Sequence, residues 1–176
     1  MTKSEYRKKA RALFDRPYSV KALLNALSAN KEFLESNVVL SYKAIKGEID
    51  LSILEEIYKD KLFLYPVVEG TDMYFTISEK YKVNEWGIKE PVGDEIDFEH
   101  ALMLVPGLLF DKSRYRLGRG KGFYDRYISK NRERLYTLGV CKKDQLEETL
   151  PVDSFDQRLD ALIILPEMDE SHVLLS

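Results

Sequence analysis

Cysteine is almost missing from this chain. Cys141 stands alone among 176 residues, so no disulfide can close within it. That excludes a disulfide-stapled scaffold and fits a reducing compartment. Histidine is scarce too, with only His100 and His172. Neither lies in a motif, so both read as incidental and no imidazole base is expected. Long apolar runs are absent: none approaches the roughly 20 residues of a membrane span. The start, Met1-Thr2-Lys3-Ser4-Glu5-Tyr6-Arg7, has no apolar signal core. A cytoplasmic location is therefore expected, with no membrane partner. Charge is not strongly of one sign, since the formal net charge is −3, which gives no global attraction to nucleic acid. Internal repeats, low-complexity segments and linkers are also absent, and residues 1–176 read as one domain.

What is present is concentrated. Hydrophobic residues make up 44% and charged residues 32%, ordinary for a globular chain. Residues 111–134, however, hold nine Lys or Arg against three Asp or Glu. Within them runs Arg114-Tyr115-Arg116-Leu117-Gly118-Arg119-Gly120-Lys121-Gly122-Phe123-Tyr124-Asp125-Arg126. Three alternate glycines let backbone N–H groups approach an anion closely, and a helix that begins there adds partial positive charge. Arg116, Arg119 and Lys121 add full charges suited to phosphate oxygens. Asp125 is out of place beside an anion unless a divalent cation sits between them. The combination suggests a nucleoside triphosphate with magnesium, although neither common nucleotide fingerprint is matched.

Periodicity places helices at residues 3–14 and 19–35, the second with Val20, Leu23, Leu24, Leu27 and Leu34 on its apolar stripe. Asp50 is expected to cap a helix to about Lys59, with Leu51, Leu54, Ile57 and Tyr58 inward. A further helix is expected from about Gly122 to Asn131. Short strands are expected over Asn37–Tyr42, Leu62–Tyr65 (stopped by Pro66), Met73–Ile77, Ala101–Val105, Tyr136–Val140 and Ala161–Leu165. Residues 80–100 read as irregular and acidic. The alternation argues an α/β fold, a largely parallel open sheet flanked by helices on both faces. Ligands bind at the carboxyl ends of strands in such sheets, so a site is expected after Val105.

The central stretch resembles a known signature. Val105-Pro106-Gly107, Phe110-Asp111 and Arg116-Leu117-Gly118-x-Gly120-x-Gly122-Phe123-Tyr124-Asp125 are similar to the motif of the 5-formyltetrahydrofolate cyclo-ligase family. Lys3 and Arg7 resemble its N-terminal Lys-x-x-x-Arg, and Tyr42 with Glu48-Ile49-Asp50 its tyrosine followed by Glu-Val-Asp. Pro66, Met73, Trp86 with Glu90-Pro91, and Gln145, Pro151 and Phe155-Asp156 continue the likeness along nearly the whole chain. Arg114 departs from it, since many members carry glycine there. Lys121 stands where many members have another glycine.

The resemblance implies ATP-dependent closure of 5-formyltetrahydrofolate to 5,10-methenyltetrahydrofolate, with release of ADP and phosphate and with Mg2+ as cofactor. Arg116, Lys121 and Asp125 would be catalytic. ATP would be held by Lys3, Arg7, Arg116, Leu117, Gly118, Arg119, Gly120, Lys121, Gly122, Phe123 and Tyr124. The folate would meet Tyr42, Lys43, Glu48, Met73, Trp86, Arg119, Gly120, Lys121, Gly122 and Phe123. Asp125 and Asp156 would hold the metal. The partners expected are these two small molecules, with no nucleic acid, in a monomer or weak homodimer.

Plainer readings stand beside these. Lys3 and Arg7 lie at i and i+4 and suit a solvated basic helix as well as a phosphate. Glu48 suits a pterin anchor, accepting two N–H bonds, or a helix-start carboxylate near Asp50. Each aromatic can simply pack in the core, and Asp160 can simply flank the last strand. At the level of the whole chain, a noncatalytic nucleotide- or RNA-binding module would use the basic segment with Phe123, Tyr124 and Tyr127 for stacking. A phosphosugar-type enzyme is a further alternative.

Overall fold

The computed structural model describes residues 1–168; His172 lies outside them. The helices are α1 (Lys3–Arg11), α2 (Val20–Ser28), α3 (Lys31–Glu35), α4 (Ile53–Ile57) and α5 (Phe123–Asn131). The strands are β1 (Val38–Leu40), β2 (Leu62–Glu69), β3 (Asp72–Thr76), β4 (Tyr81–Val83), β5 (Lys89–Pro91) and β6 (Ala101–Val105). They continue with β7 (Leu109–Asp111), β8 (Arg116–Leu117), β9 (Leu135–Lys142), β10 (Leu146–Glu147) and β11 (Ala161–Leu165).

The main sheet runs β11-β9-β6-β1-β2-β3. Its first five strands are parallel, and β3 closes one edge antiparallel to β2. Side chains alternate between two covered faces. Leu102 and Leu104 of β6 meet Val39, Leu138 and Val140 on the face packed by Leu23, Leu27, Phe33 and Leu54 of α2 to α4. Ala101, Met103 and Val105 point the other way, to Leu40, Cys141 and the α5 residues Tyr127 and Ile128. Burial on both sides explains why β6 reads as an unbroken apolar run. No helix among the described residues is long and apolar enough to cross a membrane.

Several boundaries differ from expectation, each for a local reason. α1 stops at Arg11 rather than residue 14, continuing as turns. The helix expected over 19–35 is two: the Asn30 side chain accepts from Phe33 N and starts α3 afresh. The phase slips at that break, so Phe33 is buried and Leu34 is exposed. Val20 and Ile57, expected inward, are also exposed. Asp50 caps no helix; its Oδ1 accepts from Ser52 N in a turn, and α4 spans only Ile53–Ile57.

Pro66 does not stop β2, which continues to Glu69. Two residues on, Val68 N turns away from β3 and donates to Glu90 Oε2. Pro66 shares that side, past the end of β1, so its missing N–H leaves no ladder bond unmade. Residues 81–91 are not irregular but form the β4–β5 hairpin. Between Val105 and the glycine loop lies a second hairpin, β7–β8, with β10 alongside β7. Asp160 flanks the last strand, its Oδ2 accepting from Thr137 N and Oγ1.

Candidate functional site

A cleft of about 1010 Å³ opens beyond the C-terminal ends of β1 and β6 and beside the second half of β2. Every residue expected to touch ATP, folate or metal lines it: Lys3, Arg7, Tyr42, Lys43, Glu48, Met73, Trp86, Asp156 and the whole stretch Arg116–Asp125. One wall is the basic glycine loop. The opposite wall comes from β2, β3 and the turn of the β4–β5 hairpin, which carries Trp86.

The loop is held open by backbone geometry. Gly120 has φ +99° and Gly122 φ +73°, the latter at the N-cap of α5. A Cβ on Gly122 would lie 2.6 Å from Arg126 Nη1. Arg114 also has positive φ, +70°, at the position where the resembled motif often has glycine. Its strain is offset by two bonds to the segment before β11. Arg114 Nε donates to Leu159 O at 2.9 Å, and Leu159 N to Arg114 O at 2.8 Å.

The Arg116 side chain is only 7% exposed, and its Nη1 donates to Pro106 O at 2.9 Å. Its guanidinium lies 5.2 Å from the Tyr124 ring, and its Nη2 is 3.8 Å from Asp125 Oδ2. Nε has no partner. Leaving a buried donor unmade costs about 1–3 kcal/mol. Arg7 Nε donates to Gly118 O at 2.8 Å, and Arg119 Nη2 donates to Lys46 O. Lys121 Nζ lies over the Trp86 ring at 5.7 Å, and Trp86 packs against Phe123. Lys43 Nζ sits over the Tyr65 ring at 4.0 Å and the Tyr81 ring at 5.1 Å.

The carboxylates divide into two groups. Asp125, in the first turn of α5, accepts from Gln157 N at 3.1 Å. Asp156 and Asp153 accept from Lys3 Nζ at 2.6 and 2.9 Å. Burial works to lower the Lys3 pKa, but the bonds to Asp156 and Asp153 prevail and raise it. Glu48 Oε1 accepts from Ile45 N at 3.0 Å, closing the turn before it. This is a loop turn, not a helix start. Burial raises the Glu48 pKa against the opposing pull of Ile45 N–H, Arg119 and Arg116. Tyr42 is buried with its hydroxyl spent on Ile49 O at 3.0 Å, so it presents ring surface to the cleft.

Sequence reasoning missed Asp153, the second partner of Lys3, because its spacing matches no motif. It also missed Asn84, which lines the cleft and donates from Nδ2 to the buried Glu90 carboxylate at 3.2 Å. No group of three or more His, Cys, Asp or Glu side chains stands ready for a metal among the described residues. Cys141 is buried, and burial pushes its thiol up to about 12, which leaves little thiolate at neutral pH.

The family model described as the 5-formyltetrahydrofolate cyclo-ligase family matches residues 5–165. A probable 5-formyltetrahydrofolate cyclo-ligase of Schizosaccharomyces pombe is 41% identical over 112 residues, 52% of this chain and 54% of that protein. The chain thus spans about half the length of that relative. The 5-formyltetrahydrofolate cyclo-ligase of Mus musculus is 26% identical over 161 residues, covering 80% of this chain and 79% of that one. Among solved structures, Aquifex aeolicus 5,10-methenyltetrahydrofolate synthetase superposes with a TM-score of 0.71 at 34% identity, covering 96% of this chain and 91% of that one. The Mycoplasma pneumoniae synthetase, at 23% identity, shares the fold with a TM-score of 0.68 over 93% of this chain and 98% of that one.

Proposed function

Because the chain belongs to the 5-formyltetrahydrofolate cyclo-ligase family, we propose that it uses ATP to convert 5-formyltetrahydrofolate into 5,10-methenyltetrahydrofolate, releasing ADP and phosphate. The formyl oxygen attacks the γ-phosphorus and ADP leaves. N10 of the folate then attacks the activated carbon, its proton passes to solvent, and the C–O bond breaks to release phosphate. Phosphoryl transfer chiefly requires positioning and charge neutralisation. The observation that carries the reading is the cleft itself, which joins a basic glycine loop at a helix N-terminus to an aromatic wall and a carboxylate.

Arg116, with its buried unpartnered Nε, and Lys121 neutralise charge on the transferring phosphoryl group. The Gly118, Gly120 and Gly122 backbone and the start of α5 hold phosphate oxygens, with Arg119, Arg7 and Lys3 beside them. Glu48 Oε1 is taken by Ile45 N, and Oε2 is left to anchor donor N–H groups of the pterin. Met73, Trp86, Phe123 and the Tyr42 ring cover its apolar faces.

A magnesium ion fits the donor set in part. Asp125 and Asp156 are hard oxygen ligands on adjoining segments, since Gln157, next to Asp156, donates its N–H to Asp125. Magnesium takes one or two carboxylates together with phosphate oxygens and water, so these two would hold it. It would supply neutralisation of the triphosphate. Appearance of the methenyl-folate absorbance band on mixing protein, formyl-folate, ATP and magnesium, with one ADP per product, tests the proposal. No band with both substrates at saturation would overturn it.

A further inference from the structure

Phe155 has a ring that no packing explains. Its residue is 81% exposed, the highest of any large hydrophobic side chain among the described residues, yet it lines the cleft. Its backbone is fixed from several sides. Phe155 N donates to Asp153 Oδ1 at 3.0 Å and Asp153 N to Asp156 Oδ2 at 3.0 Å. Asp156 N donates to Asp153 O at 3.2 Å, and Gln157 Nε2 to Phe155 O at 3.1 Å. The turn is anchored to α1 by Lys3 Nζ through both aspartates and to α5 by Gln157 N on Asp125 Oδ1. A hydrogen-bonded backbone thus presents a bare phenyl ring to the cleft that the basic loop also lines, on a turn bonded to the start of α5.

We propose that Phe155 is the stacking platform for the base of the nucleoside triphosphate, and so the residue that makes the site prefer a purine. The proposal rests on the ATP-dependent reading above, because it takes the triphosphate to lie along the glycine loop. From there the nucleoside end reaches the mouth of the cleft, where aromatic stacking is its available contact. Stacking depends on the area of the π-face, so it favours purines over pyrimidines without any base-edge hydrogen bond.

The test is calorimetric binding of ATP, UTP and inorganic tripolyphosphate, each with magnesium, to the intact protein and to Phe155→Ala and Phe155→Tyr. Phe155→Ala is expected to weaken ATP about 10-fold. It should narrow the ATP-to-UTP ratio and leave tripolyphosphate unmoved, and Phe155→Tyr should restore ATP binding. Unaltered ATP binding by Phe155→Ala would overturn the proposal. So would equal weakening of ATP and tripolyphosphate, which would mean that Phe155 only props the Lys3–Asp156 turn. The two levels separate cleanly. Wild-type protein that binds ATP through Phe155 but forms no methenyl-folate keeps the platform and loses the reaction. Methenyl-folate formation with a neutral Phe155→Ala keeps the reaction and loses the platform. Wild-type protein that binds no ATP overturns both.

Discussion

Glu48 pairs a position in the cleft wall with an energetic cost. Burial raises its pKa above the ordinary value of 4.5 despite the Ile45 N–H and the two arginines nearby. A folded-state pKa above the unfolded one means that the folded protein binds more protons across that window. The stabilising contribution is full below about pH 4.5 and is lost as pH rises through the raised folded value. Glu48→Gln keeps an acceptor for Ile45 N–H and removes the charge. We expect this variant to melt at or above wild-type temperature at pH 7, with the gap closing as pH falls toward 4. Its KM for formyl-folate should rise far more than its KM for ATP, because the amide sets a donor against pterin donors. Equal rises for both substrates would assign Glu48 to holding the turn alone. Lys121 is a second single-residue case. A lysine between two glycines should have little to pack on, but its ammonium lies over Trp86. Lys121→Ala should still cost mainly catalysis, about 1.5–3 kcal/mol in kcat/KM for ATP, as for one lost charge-assisted contact. A normal kcat/KM would remove it from the phosphate site.

At the scale of elements, the site depends on two anchors. The first is the entry to α5. Gly122→Ala would force a side chain into the left-handed region, costing about 1–2 kcal/mol. It would also drive its Cβ against Arg126, whose guanidinium donates to Lys121 O and Thr71 O. A lower melting temperature and a raised KM for ATP are expected together, and wild-type values for both would show the loop to be tolerant. The second is α1, whose trailing turn is pinned by Lys142 Nζ on Leu13 O and Arg16 O. These anchors mark what was and was not legible in the sequence. The unbroken apolar run of β6, the amphipathic α5 and the glycine motif could be read directly because their signal lies within one segment. β8 and β10, two residues each, carry no period and exist only by pairing with β7. The break at Asn30 hides inside an apolar stripe because a cap is only one side chain. For the site, the lining residues were legible from the motif. Their partners were not, because the bonds of Lys3 to Asp153 and Asp156 span some 150 positions of sequence.

Across the whole molecule, the cleft gathers segments from both ends and the middle of the chain: α1, the turn at Glu48, the hairpin, the glycine loop and the turn at Phe155. A ligand that bridges them stabilises the fold by mass action, by about 2.7 kcal/mol at a hundred times its Kd. That linkage gives a metal test independent of turnover. Near the triphosphate, an unscreened Asp125 carboxylate would repel it, and an ion held between them reverses the sign. Wild-type protein should therefore gain thermal stability with ATP and magnesium, and lose much of that gain when a chelator removes the metal. Asp125→Asn keeps an acceptor for Gln157 N–H, so the unliganded protein should melt within a few degrees of wild type. It should show a diminished ATP shift that the chelator no longer changes, with turnover largely abolished. A full magnesium-dependent shift in Asp125→Asn would mean that the ion is held elsewhere and that Asp125 serves only to seat Arg116 and the turn at Gln157.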